Sequence, residues 1–159
     1  MITEIDHSVV AVNDLILAER FYGEVLGEIL GGMVEDRSML TTDELIRAGR
    51  LRTTMADHYK DRPAPTVPAA HSSVKLGQTV VAMFLHQGHV QEPPPEQLRG
   101  TPRLAFNVTP EQMEQAIDVF GRRKVPFEGP VDHPASSKVA RSLYFKDPSS
   151  NFLEFCVPR

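Results

Sequence analysis

Tryptophan is absent from this chain, cysteine occurs once and tyrosine three times. One thiol can make neither an internal disulfide nor a cysteine-built zinc site, and Cys156, within FLEFCV, reads as a buried thiol on a strand. No apolar run is long enough for a signal peptide or a membrane span; the opening MITEIDHSVVAV carries Glu4 and Asp6 instead. The expected compartment is the cytoplasm. A basic excess is missing too: 17 lysines and arginines stand against 21 acids, for a formal charge of -4. Neither a nucleic acid nor an anionic membrane is therefore an expected partner. There is no nucleophile motif, no phosphate-cradling glycine loop and no dinucleotide fingerprint, since GEILGG near Gly31 has neither the spacing nor the following helix. Small molecules and protein partners remain, and the missing motifs favour a pocket function.

With 159 residues, 41% of them hydrophobic, the chain can bury a sizeable core. Its main organisational signal is a repeat. DHSVVAV reads as an apolar strand, and after Asn13 the residues Ala18, Phe21, Tyr22 and Val25 fall at helical spacing, with Gly27 as the expected stop. RLAFNV is the second such strand. Thr109 then caps a helix, Pro110 takes its first position and Gln112 completes a capping box. Met113, Ala116, Ile117 and Phe120 form its expected apolar stripe, ending before Gly121. Strand-like runs close each half: TVVAMFLH in the first, SLYFKD and NFLEFCV in the second, the last two joined by the turn DPSSN.

The expected organisation is a single domain. A first module spans about 2–90 with an insertion at about 36–72, a stiff proline-rich linker follows at about 91–100, and a second module spans about 101–158. The insertion opens with a capping box from Thr41 to Glu44 and sets Leu45, Ala48, Leu51 and Met55 along one face, which predicts an extra helix. That helix is expected either to cover a pocket or to pad an interface.

A doubled strand-helix-strands module, with His7 on its first strand, AERFYGEVLG on the helix and YFKDPSSNFLEF at the end, resembles the vicinal oxygen chelate superfamily. That group includes glyoxalase I, extradiol dioxygenases, fosfomycin-resistance enzymes, methylmalonyl-CoA epimerase and bleomycin-binding proteins. The resemblance covers about Ile2 to Leu30 and Thr79 to Val157. It implies an α+β fold in which two βαβββ modules form an open, cupped mixed sheet around a central pocket, here with a helical insertion in the first module. It also implies a homodimer.

The resemblance further implies metal ligands on the first strand of each module and on the closing strand of one or both. Carried over, His7 matches the first-strand ligand and Glu154 the last. The second-module histidine falls on Arg103, and the optional ligand of the first module falls near Ala82 or Met83, neither of which binds a hard cation. Guanidinium has no lone pair to offer and stays protonated, so Arg103 cannot ligate a metal and puts a fixed positive charge beside the position. Two ligands make a weak site. The expectation is that Arg103 pairs with Glu154 and that this ion pair replaces the metal. A retained divalent ion, manganese, iron, nickel or zinc, stays open as the alternative if a third ligand exists. His86 is a candidate only if the register differs, because it lies about 13 Å along the strand from Ala82; His71 and His58 are others, while His89 and His133 read as surface residues.

By resemblance to fosfomycin-resistance enzymes, Ser142 and Tyr144 contact substrate, and Lys138 or Arg141 reads an anionic group. Alternation puts Ser142 and Tyr144 on one face without saying which. Three readings follow. The first is a binding protein or metal-independent enzyme for a small anionic molecule, with Glu154 or His7 as general base and Arg103 stabilising an oxyanion. The second is a metal-dependent lyase, isomerase or dioxygenase. The third is a protein that sequesters a toxic compound.

Overall fold

The computed structural model describes residues 7–38, 71–86 and 102–159. The expected insertion helix, His58 and His89 lie outside the described residues. Two four-stranded sheets are built, one from each half of the chain, and each contains a single parallel pair with antiparallel pairs beside it. The expected α+β class and the two βαβββ modules are therefore present. No helix among the described residues is long and apolar enough to cross a membrane.

In the first module β1 (His7–Val12) is followed by α1 (Leu15–Glu19), a π-helical stretch over Arg20–Leu26 and α2 (Gly27–Leu30). Asp14 caps the start, its Oδ1 accepting from Leu17 N at 3.0 Å. Ala18, Phe21, Tyr22, Leu26 and Ile29 are buried along this helix. The helix runs through Gly27, where the sequence predicts a stop, and ends at Gly31, whose φ of 69° suits a residue without Cβ. Gly27 serves packing instead: a Cβ on Gly32 would come within 2.7 Å of the Gly27 Cα. The strands β2 (Gly32–Ser38), β3 (His71–Leu76) and β4 (Thr79–Leu85) follow, and the spatial order is β1-β4-β3-β2.

The second module repeats the plan with β5 (Leu104–Asn107), α3 (Pro110–Arg123), β6 (Phe127–Asp132), β7 (Val139–Lys146) and β8 (Phe152–Pro158), ordered β5-β8-β7-β6. The capping box is formed in both directions: Gln112 N donates to Thr109 Oγ1 and Thr109 N donates to Gln112 Oε1. The buried stripe is Met113, Ala116, Val119 and Phe120, with Ile117 only partly buried, and the helix passes Gly121 to end at Lys124 in the left-handed region. Leu143, Phe145, Leu153, Phe155 and Phe106 meet that stripe; Phe120 stacks on Phe155 at 6.0 Å and lies 4.8 Å from Phe145.

One apolar cluster joins both modules, and polar contacts reinforce it. Gln112 and Gln115 donate to the carbonyls of Ile29 and Glu28, satisfying groups that the end of α2 leaves without helical partners. In the β7–β8 turn, buried Asp147 accepts from Ser149 N, Asn151 N, Asn151 Nδ2 and the Tyr22 hydroxyl. Burial and then the Asp147 charge raise Tyr22 well above the usual phenol range, so it remains a donor.

Candidate functional site on the second sheet

Side chains alternate along a strand, so the core contacts of Leu153 and Phe155 send Phe152, Glu154 and Cys156 to the opposite face. Register then assigns neighbours. Tyr144 is opposite Glu154, Ser142 opposite Cys156, and Ala105 of β5 also pairs with Glu154. Arg103, two residues before Ala105, reaches the same carboxylate.

The expected pairing of Arg103 with Glu154 is present: Arg103 Nε donates to Glu154 Oε2. The Glu154 side chain is 8% exposed and that of Arg103 33%, so the acid lies behind and the base in front. The guanidinium is 5.4 Å from the centroid of the Tyr144 ring. Its Nη atoms make no hydrogen bond among the described residues. Burial alone would raise the Glu154 carboxyl, but hydrogen bonds with Ser142, Cys156 and Arg103, together with the Arg103 charge, outweigh it and hold the group below the ordinary carboxylate range. Such a carboxylate is a poor proton acceptor at neutral pH. Beside it, burial and then Glu154 push the Cys156 thiol up to about 11, which keeps it protonated.

Arg103 and Tyr144 border an open pocket of about 1280 Å³. Arg103, Tyr144, Lys146 and His133 contribute polar groups to its wall, and Phe21, Phe127 and Phe152 give it apolar surface. The Lys146 ammonium rests 4.7 Å from the Phe152 ring centroid. Glu128 and Asp147 also line the pocket and offset part of the positive charge, so any preference for an anion rests on directed N–H groups more than on net field.

The other candidate residues are placed as follows. Ser142 is fully buried, with its Oγ 2.8 Å from His133 Nε2, and does not line the pocket. Lys138 is exposed in the turn before β7 and does not line the pocket. Arg141 pairs with Asp132 at 2.8 Å and with Glu114 of α3 at 3.6 Å, on the helix side of the sheet. His7 is exposed on β1 of the first sheet, in register with Val80. Ala82 is the position of that sheet corresponding to Glu154, because Val9 pairs with it as Ala105 pairs with Glu154. His86 follows β4, where its N–H donates to Val12 O at 2.7 Å, and His71 opens β3 with its ring stacked 5.0 Å from Phe84.

His133 is the pocket residue that sequence reasoning placed on the surface. Its Nε2 lies 2.8 Å from Ser142 Oγ. The signal was its parity with Val131, which is in register with Ser142, but it becomes usable only once FEGPVD is known to be a strand.

Among the described residues no three of histidine, cysteine, aspartate and glutamate come together as a metal-holding group. The donor set at Glu154, a single carboxylate with a guanidinium fixed to it, does not fit a divalent cation.

Residues 4–155 match the model of the Glyoxalase/Bleomycin resistance protein/Dioxygenase superfamily, and the chain belongs to that family. No curated protein matches it. Among solved structures, a glyoxylase/bleomycin resistance protein/dioxygenase domain from Frankia sp. EAN1pec is 17% identical over all of both chains, with a TM-score of 0.66. A mutant of the genomically encoded fosfomycin resistance protein FosX from Listeria monocytogenes, complexed with Mn(II) and 1S,2S-dihydroxypropylphosphonic acid, is 16% identical over 100% of this chain and 95% of that one, with a TM-score of 0.63. A glyoxalase/dioxygenase from Nostoc punctiforme is 20% identical over 98% and 91%, with a TM-score of 0.60. At these identities the likeness speaks to the fold.

Proposed function

We propose that this chain binds a small organic anion in the pocket of its second sheet, and that the Arg103–Glu154 pair occupies the place where the family resemblance puts a metal. One observation carries the reading: Glu154 holds Arg103 through Nε, Arg103 lines the pocket, and its Nη atoms have no hydrogen-bond partner among the described residues. A guanidinium fixed in this way offers parallel N–H donors of the kind that carboxylates and phosphonates accept in pairs. If the bound molecule reacts, the same donors stabilise an oxygen that gains negative charge. The apolar wall selects an organic body rather than a bare inorganic ion. Lys146 and Tyr144 supply further polar contacts, and pairing with a second copy of the chain belongs to this reading.

The test is metal content per chain after purification without chelator, repeated after adding manganese, iron, nickel or zinc, in wild type and His7→Ala. No specific ion in any condition supports the ion-pair reading. One tightly held ion that is lost in His7→Ala overturns it in favour of metal-dependent chemistry. Equilibrium sedimentation checks the dimer, and tight binding without turnover across a ligand panel identifies a sequestering role.

A further inference from the structure

We infer that Lys146 is a second anion-binding point of this pocket, so that the bound molecule is a dianion, one end held by Arg103 and the other by the Lys146 ammonium. The inference rests on the pocket reading above and narrows its ligand class from one anionic group to two.

Strand register brings the two points together. Tyr144 is opposite Glu154 and Lys146 is opposite Phe152, so these four residues form a square on the β7–β8 pair. Their parity puts all four on the face away from the core side chains of Phe145, Leu153 and Phe155. Each ring of the square carries a cation. The Arg103 guanidinium is 5.4 Å from the centroid of Tyr144, and Lys146 Nζ is 4.7 Å from that of Phe152. A ring face attracts a cation without neutralising it. Tyr144 and Lys146 are two positions apart, which separates the two residues by about 7 Å along the strand.

Charge distinguishes the two cations. Arg103 already has Glu154 as its counterion, with its Nη donors left over. Lys146 has no ion pair and no side-chain hydrogen bond among the described residues. The acid next to it in sequence, Asp147, is buried, and its oxygens accept from Ser149 N, Asn151 N, Asn151 Nδ2 and the Tyr22 hydroxyl. Glu128, the other acid of the wall, is on β6, beyond β7 from Arg103, so it does not stand between the two cations. The wall thus pairs an ammonium that has no carboxylate with a guanidinium that has donors to spare. A molecule with an apolar body and two anionic groups a few carbons apart satisfies both.

The test is calorimetric binding to the full chain at about pH 7.5, where carboxylic acids are ionised. It sets 3-phenylpropionate against phenylsuccinate and 3-phenylglutarate, which add a second carboxylate two or three carbons from the first. Wild type is expected to prefer at least one of the dianions about tenfold, the worth of one hydrogen bond between charged groups. Lys146→Met, which keeps an unbranched stem over Phe152, is expected to bring that ratio to about one. Lys124→Met, the other lysine lining the pocket, is expected to keep it, and Arg103→Met to lose all three acids. Equal binding of all three acids by wild type overturns the role of Lys146 and leaves the anion reading standing. A preference that survives Lys146→Met, or disappears in Lys124→Met, overturns it as well. Binding of none of the acids by wild type overturns the anion reading and the dianion together.

Discussion

In the first sheet Val9 pairs with Ala82, His7 lies two residues before Val9, and Ser73 faces Ala82 from the inner strand. In the second sheet Ala105 pairs with Glu154, Arg103 lies two residues before Ala105, and Tyr144 faces Glu154. The backbone plan is the same, position for position. The side chains are not: one copy has a histidine and an alanine, the other a guanidinium bound to a buried carboxylate and backed by Ser142 and Cys156. A repeated βαβββ unit thus specifies where side chains meet, while a polar centre also needs a buried charge together with the donors that satisfy it. The second sheet has both, and the pocket lies over it.

The most severe change is to give the first sheet a carboxylate. Ala82 is 7% exposed, so Ala82→Glu buries an acid without the donors Glu154 enjoys, and a loss of about 3 kcal/mol is expected in urea unfolding. Adding His7→Arg should recover part of that loss if the register equivalence holds; no recovery would break it. Next in size is Arg103→Met, which leaves Glu154 with Ser142 and Cys156 alone. A cost of about 2 kcal/mol is expected, less than for a wholly buried pair because Arg103 is one-third exposed. The matching change in the first sheet, His7→Ala at an exposed position, should stay within about 0.5 kcal/mol.

Acid titration sharpens the same point. Glu154 is held below the usual carboxylate range in the folded chain, so its contribution is present above the unfolded value and is lost as pH falls through the lower folded value. The acid limb of the stability curve should therefore move to higher pH in Arg103→Met; an unchanged limb would show that the pair is not what lowers this group. A second pH effect concerns Cys156. With its folded pKa raised from 9.0 to about 11, the unfolded thiol ionises first and stability should fall as pH rises between those values. At neutral pH, iodoacetamide should label the native thiol far more slowly than the denatured one.

Much of the scaffold was legible because its signals are local. The capping box at Thr109 and Gln112 needs only four residues, and the apolar alternation of β7 and β8 follows from burying one face. Arg103 and Glu154 could be paired because the family resemblance puts both at ligand positions of one site, where a guanidinium cannot bind a metal and a buried acid needs a partner. Three things escaped for physical reasons. Gly27 and Gly121 look like stops, yet each is held within its helix by surrounding packing and hydrogen bonds that outweigh its weak propensity. Strand β6 is exposed along its whole length and its register slips between Glu128 and Val131, so no alternation marks it. His133 was hidden with it, because its place in the pocket depends on that strand being paired to β7.

The Asp147 turn has a consequence for how the chain could be cut. Asn151 donates to Ala11 O, Ser149 Oγ accepts from the Asn13 N–H, and Tyr22 reaches across to Asp147, so the far end of β1 is tied to the last hairpin of the chain. Together with the shared apolar cluster, these ties make the covalent connection between β4 and β5 one link among many. A chain severed there should remain a two-piece complex that elutes as one species, and the two halves made separately should find each other. Sequence order in this protein is thereby partly independent of spatial order, the condition under which new ends can be opened without dismantling what the old ones held.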